Sequence, residues 1–370
     1  MTDDFEIFLA VAPGLETTLR DEAAALGFAA PTVVPGGVTV QGGWPEVWRA
    51  NLALRGPSHV LARIDSFRAL HLAQLDKRAR KVAWGKVLRP DVPFRVEASC
   101  RASRIYHSGA AAQRIQTAIA EELGATAADD AEVCVKLRIE DNVCTVSIDT
   151  SGEILHKRGH KEAIAKAPMR ETLAALFLRQ CGYDGREPVL DPLCGSGTFV
   201  IEAAEIAAGL KPGRSRHFAF EQLATFDAAA WARLRDGAAA RDVPPGVRFY
   251  GSDRDAGAIE MAQANAARAG VADLTAFRRA TISEVTAPDG PPGLVIANPP
   301  YGTRIGDRKK LYALYGALGR TLAERFAGWR VGIVTNDAAL AGATGLPFAP
   351  PAATVSHGGL RVMLFLTGPL

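Results

Sequence analysis

The chain has 370 residues, of which 48% are apolar and 22% charged, and this is the composition of an ordinary folded protein. It excludes a disordered chain, a collagen-like repeat and a coiled coil, and the length predicts two or three domains. With 43 Lys and Arg against 40 Asp and Glu the net charge is only +3, so affinity for a polyanion has to come from where the charges cluster.

Neither metal binding nor secretion is indicated. The five cysteines lie far apart with no paired spacing, which predicts neither a disulfide framework nor a structural zinc site, and we expect no bound metal. The amino terminus has no signal-peptide pattern, and no apolar stretch is long enough to span a membrane. We therefore expect a cytoplasmic protein without a membrane partner, and no oligomer is implied.

The amino-terminal half predicts two small α+β units, over 1–65 and 66–155. Apolar spacing of three to four residues predicts helices and alternation predicts strands. In the first unit the predicted elements are strand 6–10, helix 15–26, strand 37–41 and a helix including 48–54. In the second they are a basic helix from 76, strand 93–98, helix 109–123 and strands 133–139 and 143–149. Glu140-Asp-Asn142 is a plausible hairpin turn between the last two strands.

Two basic runs flank the second unit. Residues 76–104 contain nine Lys and Arg and three Asp and Glu, and residues 154–170 contain five basic residues and one acid. Each run by itself can be a solvated helix face, but two together favour a surface that binds a polyanion. The candidate cations are Lys77, Arg78, Arg101, Arg104, Lys157 and Arg158.

After residue 168 buried strands alternate with helices, which predicts a mostly parallel sheet whose ligands bind at the carboxyl ends of the strands. The predicted strands are 188–191, 247–252, 294–297, 330–335 and 361–367. The predicted helices are 170–181, 198–209, 256–269 and 309–326. Residues 211–242 have no sheet signal and predict only one helix, around Trp231.

Three strand ends carry candidate chemistry. Asp191–Thr198 is a Gly-rich turn between a strand and a helix, where the backbone can approach a ligand closely. Asp253 and Asp255 follow the next strand, where one acid can accept hydrogen bonds from ribose hydroxyls and the other, more plausibly Asp255, can cap the helix. Together these two strand ends indicate an adenosine-type cofactor.

The third strand end reads Asn298-Pro-Pro-Tyr301-Gly. The two prolines fix the backbone and remove two donors, Asn298 adds a side-chain acceptor, and Tyr301 offers an aromatic face for a base. Two acceptors suit an exocyclic amino group, because they can hold its two hydrogens and direct the nitrogen lone pair toward an electrophile.

These motifs in this order resemble the class I S-adenosylmethionine-dependent methyltransferases that act on nucleobase amino groups. Residues 1–155 resemble the ferredoxin-like unit and THUMP domain that precede the catalytic domain in RNA guanine-N2 methyltransferases. The whole chain resembles the bacterial 23S rRNA guanine-N2 methyltransferases. The segments that carry this resemblance are Arg104–Gly109, Ile154–Gly159, Ala167–Ala175 and Asp191–Thr198.

The resemblance implies a Rossmann-like methyltransferase domain over 156–370 and S-adenosylmethionine as cofactor. It implies methylation of guanine N2 in 23S rRNA or in a ribosomal assembly intermediate, with the base unstacked or flipped out of its helix. Enterobacterial relatives continue into a second methyltransferase domain, so we expect one modification from a chain ending at Leu370. The implied catalytic residues are Asn298, Pro299 and Tyr301. The implied cofactor residues are Asp191, Pro192, Cys194, Gly195, Ser196, Gly197, Thr198, Asp253, Arg254 and Thr281.

Thr281 marks a departure from the family pattern, because many relatives have an acid there that contacts the adenine amino group. Three alternatives stay open at this point: a tRNA guanine-N2 methyltransferase, a DNA adenine-N6 methyltransferase, and a non-catalytic RNA-binding or ribosome-assembly factor.

Overall fold

A computed structural model describes residues 4–161, 169–237, 241–244, 247–301, 308–351 and 353–370. The chain divides into two compact units. The first consists of Met1–Val11, Leu19–Leu155 and Arg216–Ala238. The second consists of Ala12–Thr18, His156–Ser215 and Ala239–Leu370.

Strands and helices are numbered in chain order. The strands are β1 (Phe5–Ala10), β2 (Ala29–Val34), β3 (Gly37–Gly42), β4 (His59–Arg68), β5 (Phe94–Arg101), β6 (Val133–Glu140), β7 (Val143–Asp149), β8 (Val189–Asp191), β9 (Phe249–Asp253), β10 (Thr275–Arg279), β11 (Leu294–Ala297), β12 (Arg330–Thr335), β13 (Thr354–His357) and β14 (Leu360–Leu366). The helices are α1 (Glu16–Ala25), α2 (Trp44–Ala53), α3 (Leu72–Ala79), α4 (Ser108–Leu123), α5 (Glu171–Gln180), α6 (Thr198–Ala207), α7 (Ala228–Asp236), α8 (Ala256–Arg268), α9 (Arg308–Arg325) and α10 (Ala338–Gly342).

The first unit is built on one sheet in the order β2-β3-β1-β4-β7-β6-β5. The sheet runs without a break from the ferredoxin-like part into the THUMP part, because β4 pairs with β1 on one side and with β7 on the other. The domain boundary expected at residue 65 falls inside β4. The predicted hairpin turn between β6 and β7 is confirmed, with Asp141 at φ 48° and Asn142 at φ 65°.

Residues 216–238 lie with the first unit, although their sequence position is within the predicted methyltransferase range. The reason is an aromatic cluster: the Phe220 ring centroid lies 5.0 Å from that of Trp231, on α7, and 6.1 Å from that of Trp48, on α2. Phe218 stacks on Phe220 at 5.1 Å. Three of these four side chains are at most 3% exposed, and Trp231 is 5% exposed, so burial of aromatic surface fixes this segment.

The second unit is built on a sheet in the order β10-β9-β8-β11-β12-β14-β13. The first five strands are parallel, and β14 runs antiparallel to β12 and β13. This is the predicted Rossmann-like arrangement. The strand order reverses at β8, whose neighbours are β9 and β11, and at such a switch point the loops after adjacent strands diverge and leave a crevice for a ligand.

The strands predicted from the sequence do not include β2, β4, β10 or β13. Both β2 and β13 lie at the edge of a sheet and are short, and β2 contains Pro31, so their apolar alternation is weak. In β4 the second half is largely unburied, which blurs the same signal.

None of the helices in the described ranges is long and apolar enough to cross a bilayer. Across the same ranges no three His, Cys, Asp or Glu side chains are grouped so that they could hold a metal ion. All five cysteines are free thiols, and four of them are buried.

Candidate active site

The Gly-rich turn connects β8 to α6 at the switch point of the second sheet. Gly195 and Gly197 have φ values of 51° and 86°, in the left-handed region that residues with a Cβ rarely adopt. The Gly197 N–H donates to the Cys194 carbonyl at 2.8 Å. A Cβ on Gly197 would lie 3.1 to 3.2 Å from Ala262, Ile201 and Phe277, so this glycine also allows close packing of α6.

Asp253, the last residue of β9, is hydrogen-bonded to this turn. Its Oδ2 accepts from the Gly195 N–H at 3.1 Å and its Oδ1 accepts from the Asp255 N–H at 3.0 Å. The predicted cap at Asp255 is confirmed, since its Oδ1 accepts from the Gly257 N–H at 2.8 Å at the start of α8. Each Asp253 oxygen keeps acceptor capacity for a further donor such as a ribose hydroxyl.

Asp191, at the end of β8, is buried, with 3% of its surface exposed. Its Oδ1 accepts one backbone hydrogen bond, from the Leu193 N–H at 2.9 Å. Burial, and secondarily the charge of Asp253, raise the pKa of Asp191 to about 8. The carboxyl is therefore largely protonated at neutral pH and can then donate a hydrogen bond.

The pKa of Asp191 predicts that the second unit loses stability as the pH rises. A carboxyl whose folded pKa lies above its unfolded value stabilises the fold fully below the unfolded pKa, and this contribution is lost as the pH rises through about 8. The loss from pH 5 to 8 is about 3 kcal/mol. Asp191→Asn should remove this dependence, measured as the pH dependence of urea denaturation. If the free energy of unfolding of wild type and variant changed in parallel between pH 5 and 8, Asp191 would be ionised in the folded protein over that whole range.

A cleft with a volume of about 670 Å³ is lined by Arg254 and Asp255, the two residues that follow Asp253. Its lining includes Arg254 and Thr281, two of the residues predicted to contact the cofactor. The Thr281 hydroxyl donates to Glu284 Oε2 at 2.7 Å, and Arg279 Nε donates to the Arg254 carbonyl at 3.1 Å. Thr281 is exposed in this cleft, so its position is compatible with the predicted adenine contact.

Asn298 follows β11, on the opposite side of β8 from Asp253. Its Oδ1 is shielded from solvent and has no hydrogen-bond partner among the described residues. An unsatisfied buried acceptor costs stability, about 1 to 3 kcal/mol, unless a ligand supplies a donor. Pro299 is buried next to it, and burial raises the pKa of the half-buried Tyr301 to about 12, which keeps its hydroxyl protonated.

A nucleoside cofactor fits these strand ends. The turn 194–197 offers backbone close to a ligand, Asp253 offers two carboxylate oxygens, and the cleft at Thr281 offers room next to them. Asn298 lies across the switch point with an acceptor that nothing in the described ranges satisfies. Of the predicted cofactor and catalytic residues, all lie at or directly after the ends of β8, β9, β10 and β11.

Sequence reasoning missed the side chains that brace the turn. Lys161 Nζ donates to Thr198 Oγ1 at 2.8 Å and lies 3.2 Å from Glu171 Oε1. Asn265 is fully buried in α8, and its Nδ2 donates to the Ser196 carbonyl at 3.1 Å. The one available signal was an asparagine on the apolar face of α8. Lys161 was seen only as one cation in a basic run.

The prediction that Arg158 contacts RNA is wrong. Arg158 is 2% exposed, and its Nη2 lies 3.5 Å from Glu202 Oε1, which is equally buried. The physical reason is that α6 carries Glu202 and Glu205 on a buried face, and buried carboxylates need charged partners. Lys157, its neighbour, is exposed as a nucleic-acid contact requires.

The basic run 76–104 is partly neutralised within the first unit. Three of its arginines lie within 3.0 Å of carboxylate oxygens in the same unit: Arg80 with Asp76 and Glu121, Arg89 with Asp91, and Arg95 with Glu97. The four predicted RNA contacts of this run are exposed: Lys77 and Arg78 on α3, Arg101 at the end of β5, and Arg104 in the loop that follows. These four cations remain the candidate RNA contacts of this run.

Sequence models of three families match the chain. The RMKL-like methyltransferase domain matches residues 158–348, the RlmL ferredoxin-like domain matches residues 6–61, and the THUMP domain matches residues 71–149. The first match spans more than half of the chain, and the three occur in the order that the sequence predicted.

Two solved structures of similar sequence match this chain over almost its whole length, and a more distant one shares its fold. SMU.472, proposed to be a methyltransferase and crystallised with S-adenosylhomocysteine, is 27% identical with a TM-score of 0.90, over 100% of this chain and 99% of that one. A predicted N6-adenine-specific DNA methylase of Listeria monocytogenes is 30% identical with a TM-score of 0.88, over 99% and 97%. TrmN of Thermus thermophilus, 22% identical with a TM-score of 0.75 over 99% of both chains, shares the fold.

Proposed function

The chain belongs to the RMKL-like methyltransferase family, and on this premise we propose that it methylates the exocyclic N2 of a guanine in large-subunit (23S) ribosomal RNA. Methyltransferase activity with S-adenosylmethionine follows from the family and from the relative crystallised with S-adenosylhomocysteine. What we propose beyond this is that the methyl group is transferred to an amino group, that the base is guanine, and that the substrate is ribosomal RNA.

The observation that carries the amino-group proposal is the Oδ1 of Asn298, which is shielded from solvent and accepts no hydrogen bond from any described residue. An amine presents hydrogens that this oxygen can accept, and Pro299 and Pro300 leave the neighbouring carbonyl groups without competing local N–H donors. A hydroxyl acceptor would instead call for a general base within hydrogen-bond reach. Residues 298–301 at this strand end include no Asp, Glu or His, and burial keeps the Tyr301 hydroxyl protonated by raising its pKa to about 12.

Each residue then has a limited task. S-adenosylmethionine, when bound, supplies a methyl group already activated on a sulfonium, and Asp253 and the turn 194–197 would hold it. Asn298 Oδ1 and the Pro299 carbonyl would hold the two amino hydrogens, and Tyr301 would stack on the base. These contacts work through proximity and alignment, which can account for a large share of a rate enhancement.

Support for RNA comes from the first unit. Its THUMP match and the exposed Lys77, Arg78, Arg101 and Arg104 suit a phosphate backbone, which positions a substrate without reading its sequence. Support for guanine N2 in 23S rRNA comes from the RlmL ferredoxin-like match together with the motif order.

Adenine N6 is the second candidate, because the Listeria relative is described as an adenine-specific DNA methylase and Asn298 can hold that amine equally well. One experiment separates the candidates. Purified chain and methyl-labelled S-adenosylmethionine are incubated with 23S rRNA, with tRNA and with DNA, each from a strain lacking this gene. The product is then digested to nucleosides and its position mapped.

We expect N2-methylguanosine at one position of 23S rRNA. N2-methylguanosine confined to tRNA would retain the chemistry and replace the substrate. N6-methyladenine in DNA would overturn both the base and the nucleic acid. Binding of S-adenosylhomocysteine without any methylated product would favour an assembly factor that has kept the fold.

A further inference from the structure

One edge of the first unit concentrates exposed apolar side chains. Among the described residues, six large apolar side chains are exposed, and three of them are Tyr106 (82%), Leu70 (38%) and Val143 (36%). They are far apart in sequence, but each lies close to Asn142. Leu70 follows Ala69, and Tyr106 lies two residues after Arg104; the backbone N–H groups of Ala69 and Arg104 both donate to Asn142. Val143 follows Asn142 directly in the chain. We call this surface the Tyr106 patch: Leu70, Tyr106 and Val143 with Arg68, Arg101 and Arg104.

Asn142 holds the three loops of the patch together. Its backbone carbonyl accepts from the Ala69 N–H at 3.0 Å, and its Oδ1 accepts from the Arg104 N–H at 2.9 Å. Its own N–H donates to Ser103 Oγ at 3.0 Å. With φ of 65°, Asn142 is in the left-handed region that asparagine tolerates, so the hairpin turn also organises the patch.

Tyr106 projects from a braced backbone. Two residues before it, Arg104 is tied to Asn142, and directly after it His107 caps α4 by accepting from the Ala110 N–H at 3.1 Å. Because Tyr106 is 82% exposed, it contributes little to the core of the described unit. An exposed aromatic ring on such a backbone offers a flat face to a partner.

The charge around the hairpin turn of the patch is positive. Arg68, Arg101 and Arg104 are exposed, and the Arg101 side chain is 79% exposed with Glu140 Oε1 at 3.5 Å. Glu140 is shared, since its Oε2 accepts from Arg138 at 2.6 Å. Counting Arg138 with the three exposed arginines against Glu140 and Asp141 leaves a local charge of +2, which favours an anionic partner.

We propose that the Tyr106 patch binds an unpaired segment of the RNA substrate, with one base stacked on Tyr106 and the adjacent phosphates on Arg101 and Arg104. Aromatic faces alternating with cations are the recognition chemistry of single strands, because every base has a π-face and every linkage a charge. In a duplex the bases are stacked inside and unavailable to such a ring. This inference rests on the proposed RNA substrate.

The test uses the full chain and a fluorescent single-stranded RNA of about 12 nucleotides, compared with a duplex of equal length. Affinity is measured by fluorescence anisotropy for the wild type, Tyr106→Ala, Tyr106→Phe and Arg101→Ala/Arg104→Ala. The control is Val33→Ala, which removes another exposed apolar side chain (41%) of the first unit, from the edge strand β2 of the same sheet. A 5-iodouridine-labelled strand is photocrosslinked in parallel, and the crosslinked residue is identified by mass spectrometry.

Tyr106→Ala should weaken single-strand binding about tenfold or more, whereas Tyr106→Phe and Val33→Ala stay within about twofold of wild type. The crosslink should map to Tyr106. Unchanged affinity in Tyr106→Ala with loss only in the arginine variant would reduce the patch to phosphate contacts and overturn the stacking. Equal affinity for the duplex, or equal loss in Val33→Ala, would overturn it as well.

The two proposals fail separately. If the methylated base is not a guanine in rRNA but single-strand binding still depends on Tyr106, only the proposed function is wrong. If N2-methylguanosine forms in 23S rRNA and Tyr106→Ala has the wild-type KM for RNA, only the proposed role of the patch is wrong. Binding of S-adenosylhomocysteine, measured by calorimetry, should be unchanged in every variant of the patch, because the cofactor residues lie in the second unit. Thermal unfolding followed by circular dichroism checks that the first unit of each variant is folded.

Discussion

Replacing Asn298 with alanine should lower kcat for methyl transfer by about 100- to 1,000-fold and leave the Kd for S-adenosylhomocysteine within about twofold. The reason is that the buried Oδ1 is the acceptor proposed to orient the amine, and removal of one preorganised group in a water-excluded site has effects of this size. The variant should also fold, because the Asn298 side-chain oxygen that it removes makes no hydrogen bond to any described residue. Single-turnover kinetics and calorimetry measure the two effects.

Asn336 provides the matched control. It follows β12, the neighbouring strand of the same sheet, and its Oδ1 is also shielded and without a partner in the described ranges. We expect Asn336→Ala to keep at least about a tenth of the wild-type kcat. If both variants lose activity equally, or if Asn298→Ala loses cofactor affinity as much as turnover, the assignment of Asn298 to the amine is wrong.

Asp253→Ala should raise the Kd for S-adenosylhomocysteine by about 10- to 100-fold, which is the second large effect. Hydrogen bonds to a charged group contribute about 1.5 to 3 kcal/mol, and this carboxylate lies between the Gly195 and Asp255 N–H groups with acceptor capacity to spare. At saturating cofactor kcat should recover to near wild type, because Asp253 is not assigned to the base. Calorimetry and saturation kinetics measure both quantities.

A variant of the neighbouring acid, Asp255, distinguishes loss of ribose binding from general disruption of the loop. Asp255→Ala removes the cap of α8, which costs about 1 kcal/mol of stability, but should change cofactor affinity less than threefold. A ligand pair supplies a second criterion: wild type should prefer adenosine to 2′-deoxyadenosine, and Asp253→Ala should not. Equal discrimination by both proteins would place the ribose contact on another residue.

Most of the candidate site could be predicted because its signals are local. A strand that ends at Asp191 and a helix that begins at Thr198 leave only a short Gly-rich turn, and the parallel order places the loops after β8, β9 and β11 at one edge. The same locality explains the helix bounds, where Asp255 capped α8 as expected. Family resemblance added the cofactor and the division into ferredoxin-like, THUMP and methyltransferase parts, which the family matches bear out.

The wrong or missing predictions have a common cause. The type of a charged or aromatic residue does not reveal which distant residues will contact it in the fold. Arg158 read as a surface cation and is buried against Glu202, 44 positions later in the chain. Residues 216–238 had no sheet pattern, and their place depends on Phe220, which packs against Trp231 and against Trp48, 172 residues earlier.

The sequence by itself therefore determined the fold class of the second unit and the three strand ends of the candidate site, because turn geometry and strand order follow from short stretches of chain. Only the tertiary structure decided which basic side chains are exposed and where residues 216–238 belong. It also showed that the Asn298 oxygen has no hydrogen-bond partner within the described ranges, and that Asn142 brings Leu70, Tyr106 and Val143 together. Each of these depends on burial and on hydrogen bonds between residues distant in sequence, which no local pattern encodes.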